Sequence, residues 1–375
     1  MVGVTFGRCG KKLLNEAKKI AQGSHNNAPL GLKQLLNWMI ENWAIENINN
    51  DYRSLVRQIN ESYYKILLDL DVESINYIFP ADIRIKEIGH IRKYIDTIDE
   101  IIKLRSNGST CKAYNLFYDL MSDEECGLWS VLQRKLDNGE KDLYRIRKIM
   151  ESEGISKKDF FHVPIDLRYK VGTCRFSHPG YPSLYLGTSI KVCWEELGEP
   201  DLSEFMIVRV GQQVGGIKVI DLSLPNKIDQ LYLPDIWKFI KSYPFIVACG
   251  IKVFQSDNKV YKEEYIIPQM LTEYLIESNR NAQNENITAI KYTSTHFNKE
   301  SYSDLEKFTN IAIPVIDIEK TKKYCPKLKQ LFLLSEPICF NNEIKNELLE
   351  KNIDNNLWER METMLTYHSL SQIEE

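Results

Sequence analysis

Ser183-Leu184-Tyr185-Leu186-Gly187-Thr188-Ser189-Ile190-Lys191-Val192-Cys193-Trp194-Glu195-Glu196-Leu197 changes period part-way along. Its first five residues read as a short apolar strand, and Gly187-Thr188-Ser189 supplies a turn and a helix N-cap. Beyond the cap, Ile190, Cys193, Trp194 and Leu197 fall at i, i+3, i+4 and i+7, which is one face of a helix. At about 100° per residue, Glu196 lies nearer the edge of that apolar stripe than Glu195. Glu195 is expected to point outward, four residues from Lys191 and in position to pair with it.

Downstream the same alternation of short strands and helices continues. Phe205-Met206-Ile207-Val208-Arg209-Val210, Ile217-Lys218-Val219-Ile220-Asp221-Leu222 and Thr288-Ala289-Ile290-Lys291-Tyr292 are strand-like. Helical stretches at 189–198, 232–242 and 266–278 interrupt them, with Pro, Gly and Asn at the turns. Upstream the character differs. From about 11 to 135 the apolar residues recur at three and four, as in Leu32, Leu35, Leu36, Met39, Ile40 and Trp43, in Leu55, Ile59, Tyr63, Ile66, Leu67 and Leu70, and in Ile91, Tyr94, Ile95, Ile98 and Ile101-Ile102. Asp137-Asn138-Gly139 marks the change. The expected fold class is α+β: an all-helical domain over 1–140, an α/β domain over 141–341, and a terminal polar helix over 342–375.

Composition narrows the function classes. With 375 residues and 43% apolar content the chain builds ordinary cores. Forty-eight Lys and Arg against 52 Asp and Glu give a net charge of -4, so the basic footprint of nonspecific nucleic-acid binding is missing. No run reaches the ~18 apolar residues of a membrane span, and Met1 to Arg8 lacks the apolar stretch of a signal peptide, so no membrane partner and a cytoplasmic location are expected. The eight cysteines contain no Cys-x-x-Cys pair, which suggests neither a metal site nor a disulfide framework. Glycine-rich phosphate loops, His-Glu-x-x-His and Gly-x-Ser-x-Gly are absent.

What remains is an ordered set: Leu143-Tyr144-Arg145-Ile146-Arg147, then Cys174-Arg175-Phe176-Ser177-His178-Pro179-Gly180, then Leu184-Tyr185-Leu186 leading to Glu196, then Ile290-Lys291-Tyr292-Thr293-Ser294-Thr295. In this order and spacing the chain resembles the RES family, named for an Arg, a Glu and a Ser, over roughly 141–340. The resemblance implies an ADP-ribosyltransferase-like fold and an activity that consumes NAD, with NAD as substrate and no further cofactor. It implies Glu196, Arg145, Tyr185 and Ser294 as catalytic residues, with Arg145, Arg175 and Tyr185 holding NAD. Because family members include toxins of toxin–antitoxin pairs, an antitoxin or regulatory protein and self-association are the partner classes left open. Phe-Ser-His-Pro-Gly after Arg175 departs from the Trp-Asn-type continuation of the short toxins and resembles longer relatives with an N-terminal extension.

The residue chemistry is compatible with that implication. Arg presents a planar fork to phosphate oxygens. A Tyr face suits a cationic nicotinamide ring. Scission of the nicotinamide–ribose bond needs no acid for the leaving group, so one carboxylate, Glu196, suffices to stabilise the oxocarbenium-like ribose. Competing readings stay open: Arg145 could pair with Asp142 on a helix surface, Arg147 could replace Arg145, Tyr185 could be plain core, and Thr293 and Thr295 offer the same hydroxyl as Ser294. His162, His178 and Pro268-Gln269 read as structural. The leading function is a toxin-like enzyme that cleaves NAD, with the acceptor open among water, phosphate and protein. The alternatives are an ADP-ribosyltransferase acting on a protein target and a noncatalytic nucleotide-binding sensor.

Overall fold

The structure, a computed structural model, describes residues 28–49, 51–136, 142–148, 155–213, 217–225, 231–253, 261–281, 287–296, 305, 307–316, 318, 322–339 and 357–373. Its helices are α1 (Leu30–Glu41), α2 (Tyr52–Leu68), α3 (Val72–Ile78), α4 (Arg84–Ser106), α5 (Thr110–Ser122), α6 (Leu128–Leu132), α7 (Ile190–Glu196), α8 (Leu233–Gly250), α9 (Ile266–Asn281), α10 (Pro326–Leu331) and α11 (Leu357–Thr366). The strands are β1 (Gln133–Lys135), β2 (Leu143–Lys148), β3 (Ser183–Gly187), β4 (Phe205–Gln212), β5 (Lys218–Leu222), β6 (Ile287–Thr293), β7 (Thr309–Pro314), β8 (Phe332–Leu334) and β9 (Ile338–Cys339). The chain is thus mixed α and β, helical toward its N-terminus. Residues 11–27 and 342–356, which the sequence pattern also assigns to helices, lie outside the described residues.

Two compact units form. One comprises Met1–Gln133 with Leu222–Tyr274, the other Arg134–Asp221 with Leu275–Glu375. The segment Leu222–Tyr274, placed by sequence pattern within the 141–341 domain, therefore clusters with the helical residues.

In the helical unit the three-and-four stripes become the core. Leu32, Leu35, Leu36, Met39, Tyr52, Tyr63, Ile91, Tyr94, Ile98, Ile101 and Ile102 are all buried. Four buried tyrosine hydroxyls donate to backbone carbonyls: Tyr52 to Ala248, Tyr63 to Ile240, Tyr94 to Cys126 and Tyr243 to Met39, at 2.6–3.0 Å. The Tyr63 bond accounts for a correction. Sequence pattern ends the helix at 242, ahead of Pro244, yet α8 continues to Gly250. Proline has no N–H to give the carbonyl four residues back, and that carbonyl, Ile240 O, is the acceptor Tyr63 serves at 2.6 Å. Beneath the same helix Lys241 Nζ meets Glu87 at 2.7 Å, both side chains 4% exposed, with Trp237 facing the ammonium at 5.0 Å.

The second unit is built on a nine-stranded sheet in the order β1-β5-β6-β7-β3-β2-β4-β8, with β9 also on β4. From β6 to β8 every neighbouring pair is antiparallel. Alternation along the strands separates two cores. Leu143, Leu184, Leu186, Val208, Val210, Ile311 and Ile313 form one. Tyr144, Ile146, Ile207 and Phe205 form the other with Ile190 of α7 and Met361 and Leu365 of α11. None of the described helices is long and apolar enough to cross a membrane.

Candidate functional site

The β3–α7 unit forms as its sequence dictates. Ser189 caps α7 by accepting from the Val192 N–H at 3.1 Å. The Ile190 N–H, left free at the helix start, donates to Glu362 Oε1 at 2.9 Å. Gly187 is required by close approach: a Cβ there would meet Cys193 Sγ at 2.5 Å and Val192 Cγ1 at 2.6 Å. Cys193 Sγ donates to Tyr144 O, and burial pushes its thiol up to about 12. Helix α7 is therefore pressed against the ends of β2 and β3, and its last residue, Glu196, reaches β7.

Register determines what Glu196 finds. Gly187 opposes Asn310, and Asn310 opposes Tyr292. Glu196 Oε1 accepts from Asn310 Nδ2 at 2.7 Å and from Ser294 Oγ at 2.6 Å. Ser294 is fully buried, its N–H bonded to Phe308 O, and its hydroxyl accepts in turn from the His296 N–H at 3.1 Å. Glu196 Oε2 lies 3.7 Å from His296 Nε2, with the Glu196 side chain 33% exposed and that of His296 60%. The carboxylate is thus clamped through one oxygen and open through the other.

Around this cluster, Tyr185 donates or accepts a hydrogen bond with Ser177 at 2.9 Å, and Tyr292 packs on Phe176 with ring centroids 4.7 Å apart. Mutual backbone bonds between Cys174 and Ser177 close a tight turn with Arg175 and Phe176 at its tip. Arg175 is half-buried and donates to Thr295 Oγ1 at 3.5 Å. Burial lifts the Tyr292 phenol far above its ordinary range, with Glu196 and Tyr185 adding to it and Arg175 opposing. These four side chains share one neighbourhood.

Arg145 follows Tyr144, the β2 residue paired with β3, and Cys193 and Tyr185 are among the groups acting on its charge. It opposes Val208 on β4, and Leu143, Val208 and Val210 belong to the core on one side of the sheet. Gly187 and Asn310, against which Glu196 works, alternate to the other side. Arg145 is buried enough to bring its guanidinium down to about 10, with Arg147 adding repulsion, and its buried Nη1 has no hydrogen-bond partner among the described residues. The helix-surface pairing with Asp142 does not occur, because residues 143–148 are a strand and Asp142 accepts from Arg209 at 2.9 Å. Arg147 is committed to Asp159 O.

Three further expectations meet the geometry. Glu195 approaches Lys191 at 3.9 Å but does not point outward, since its side chain is only 9% exposed. The helix ends beside it and the chain reverses at Gly198 and Glu199, whose N–H groups return to Glu195 O and Trp194 O. Burial pushes the Glu195 carboxyl up to about 7. His162 is structural: its Nδ1 donates to Val163 O at 2.8 Å and its Nε2 accepts from the Cys325 N–H at 2.9 Å, while burial pulls the ring down to about 4. His178 sits in the turn before Tyr181, which donates to its carbonyl.

Sequence reasoning did not single out Asn310 or His296. The available signal was a lone amide inside Thr309-Asn310-Ile311-Ala312-Ile313, a run buried throughout. Among the described residues no group of three or more His, Cys, Asp or Glu side chains is placed to hold a metal.

The chain is similar to a protein of Bacillus subtilis (strain 168) named Putative toxin YopC. The two are 31% identical over 273 residues, which make up 68% of this chain and 60% of the relative. The chain therefore spans about three fifths of that relative's length. No family model matches the chain, and no solved structure matches it.

Proposed function

We propose that this chain is a toxin-like enzyme that cleaves the nicotinamide–ribose bond of NAD, on an ADP-ribosyltransferase-like sheet of the RES type. The observation that carries the reading is Glu196, a carboxylate held through Oε1 by two buried donors and presenting Oε2 outward. A fixed negative charge needs no reorganisation when the ribose gains positive charge, and that is when it contributes most. Bond scission releases nicotinamide as a neutral molecule, so no acid is needed on the leaving side. Tyr185 offers an aromatic face to the cationic ring. Arg175, beside Thr295 on the face that Glu196 works on, is the cation suited to the pyrophosphate, and Arg145 supplies positive potential from within the sheet. The toxin role is supported by the name of the 31% identical relative.

Incubation of the purified full chain with NAD, with and without phosphate, tests this. Release of free nicotinamide is expected. NAD left intact under both conditions would overturn the reading.

A further inference from the structure

The geometry points to His296 as the base that takes the proton from the attacking nucleophile, which makes water the acceptor. This rests on the NAD reading above. Glu196 has spent Oε1 on Ser294 and Asn310, so Oε2 is the oxygen that faces substrate. His296 Nε2 lies 3.7 Å from it, beyond hydrogen-bond length, at a spacing where one water touches both atoms at about 2.8 Å each. The ring is not free to drift at its root. The His296 N–H is bonded to the Ser294 hydroxyl that itself clamps Glu196, so base and carboxylate are indexed to one buried oxygen. With the side chain 60% exposed, a proton taken up there returns to solvent.

The step balances. Neutral His296 removes one proton from water as the oxygen bonds to the ribose C1′. The C1′–N bond breaks and its electron pair neutralises the pyridinium, giving nicotinamide, ADP-ribose and an imidazolium that deprotonates to bulk. Phosphate is already anionic and needs no such base, so a built base favours hydrolysis over phosphorolysis. Protonated His296 would instead pair with Glu196 Oε2 and occupy the oxygen meant for substrate. Among the described residues, Glu196, Tyr185, Arg175 and Cys174 are the charged or titratable groups that act on Tyr292, two residues before Ser294.

Full-chain wild type, His296→Gln and His296→Ala are assayed for nicotinamide release between pH 5 and 9, with the ribosyl product identified in phosphate and phosphate-free buffer. Wild type is expected to give ADP-ribose in both buffers and to lose rate on the acid side, as an imidazole base requires. Both variants should fall by about 10²–10⁴ in kcat with KM little changed and lose that acid limb, and added imidazole should restore part of the rate to His296→Ala. Variants that keep the wild-type rate and limb overturn the assignment of His296, as does a ribosyl phosphate product from wild type. A wild type that releases no nicotinamide overturns the NAD reading and this proposal with it.

Discussion

Ser294 donates its hydroxyl to Glu196 Oε1 at 2.6 Å across 98 positions of sequence, and Asn310 donates to the same oxygen at 2.7 Å. The carboxylate therefore has one committed and one open oxygen. Glu196→Gln retains the shape and loses the charge, so turnover of NAD should fall by about 10²–10³ while binding is nearly unchanged. Glu195→Gln should leave turnover nearly intact. Nicotinamide release and equilibrium binding check both, and equal damage from the two substitutions would contradict the assignment.

The clamp itself is testable. Ser294→Ala and Asn310→Ala each remove one hydrogen bond to a charged group, worth about 1.5–3 kcal/mol, or roughly 10–100-fold in kcat if the loss falls on the transition state. Since both bonds hold one oxygen, the double variant should lose less than the product of the two. A double-mutant cycle on kcat at unchanged KM is the measurement, and full additivity would mean that the two residues act separately.

Glu195 carries a stability consequence of definite sign. Its carboxyl is raised from 4.5 to about 7 by burial, so the folded state holds the proton more tightly than the unfolded chain. The folded state is penalised as pH rises from about 4.5 through about 7, and the penalty is complete above that. Glu195→Gln should therefore stabilise the chain above pH 7, by on the order of 1–3 kcal/mol, and do little near pH 4. Denaturation at the two pH values compares them.

His162 works in the opposite direction on the acid side. Its ring is lowered from 6.5 to about 4, and its Nε2 lone pair is occupied by the Cys325 N–H. The unfolded chain takes up the proton first, so stability falls as pH drops from about 6.5 to about 4, at about 1.4 kcal/mol per unit. Hydrogen exchange at the Cys325 amide should accelerate through that window. In His162→Gln, which can serve the same two partners, the acceleration should vanish.

A fragment beginning near 140 should not fold as a clean catalytic piece. It retains α8, in which every residue from 239 to 250 is buried, but lacks α2 and α4, whose side chains Tyr63 and Glu87 serve Ile240 and Lys241. Aggregation or a molten segment is expected on expression. A soluble fragment whose 233–250 amides are protected from exchange would contradict this.

Local pattern sufficed for much of the molecule. The period of Leu32 to Trp43, Ile91 to Ile102 and Ile190 to Leu197 specifies helices and their buried faces, because the 3.6-residue repeat leaves no other way to bury those side chains together. Ser189 as a cap and the β3 strand follow from equally local rules. Tertiary structure decided what no window of sequence contains. Pro244 reads as a stop signal, and Tyr63, 177 positions from its acceptor on the preceding turn, lets the helix continue. Glu195 is buried where helical phase alone points it to solvent. Asn310 and His296 enter beside Glu196 through strand register: a slip of one residue would exchange the two faces of the sheet, and register is set by the packing of both cores at once rather than by any strand's own residues.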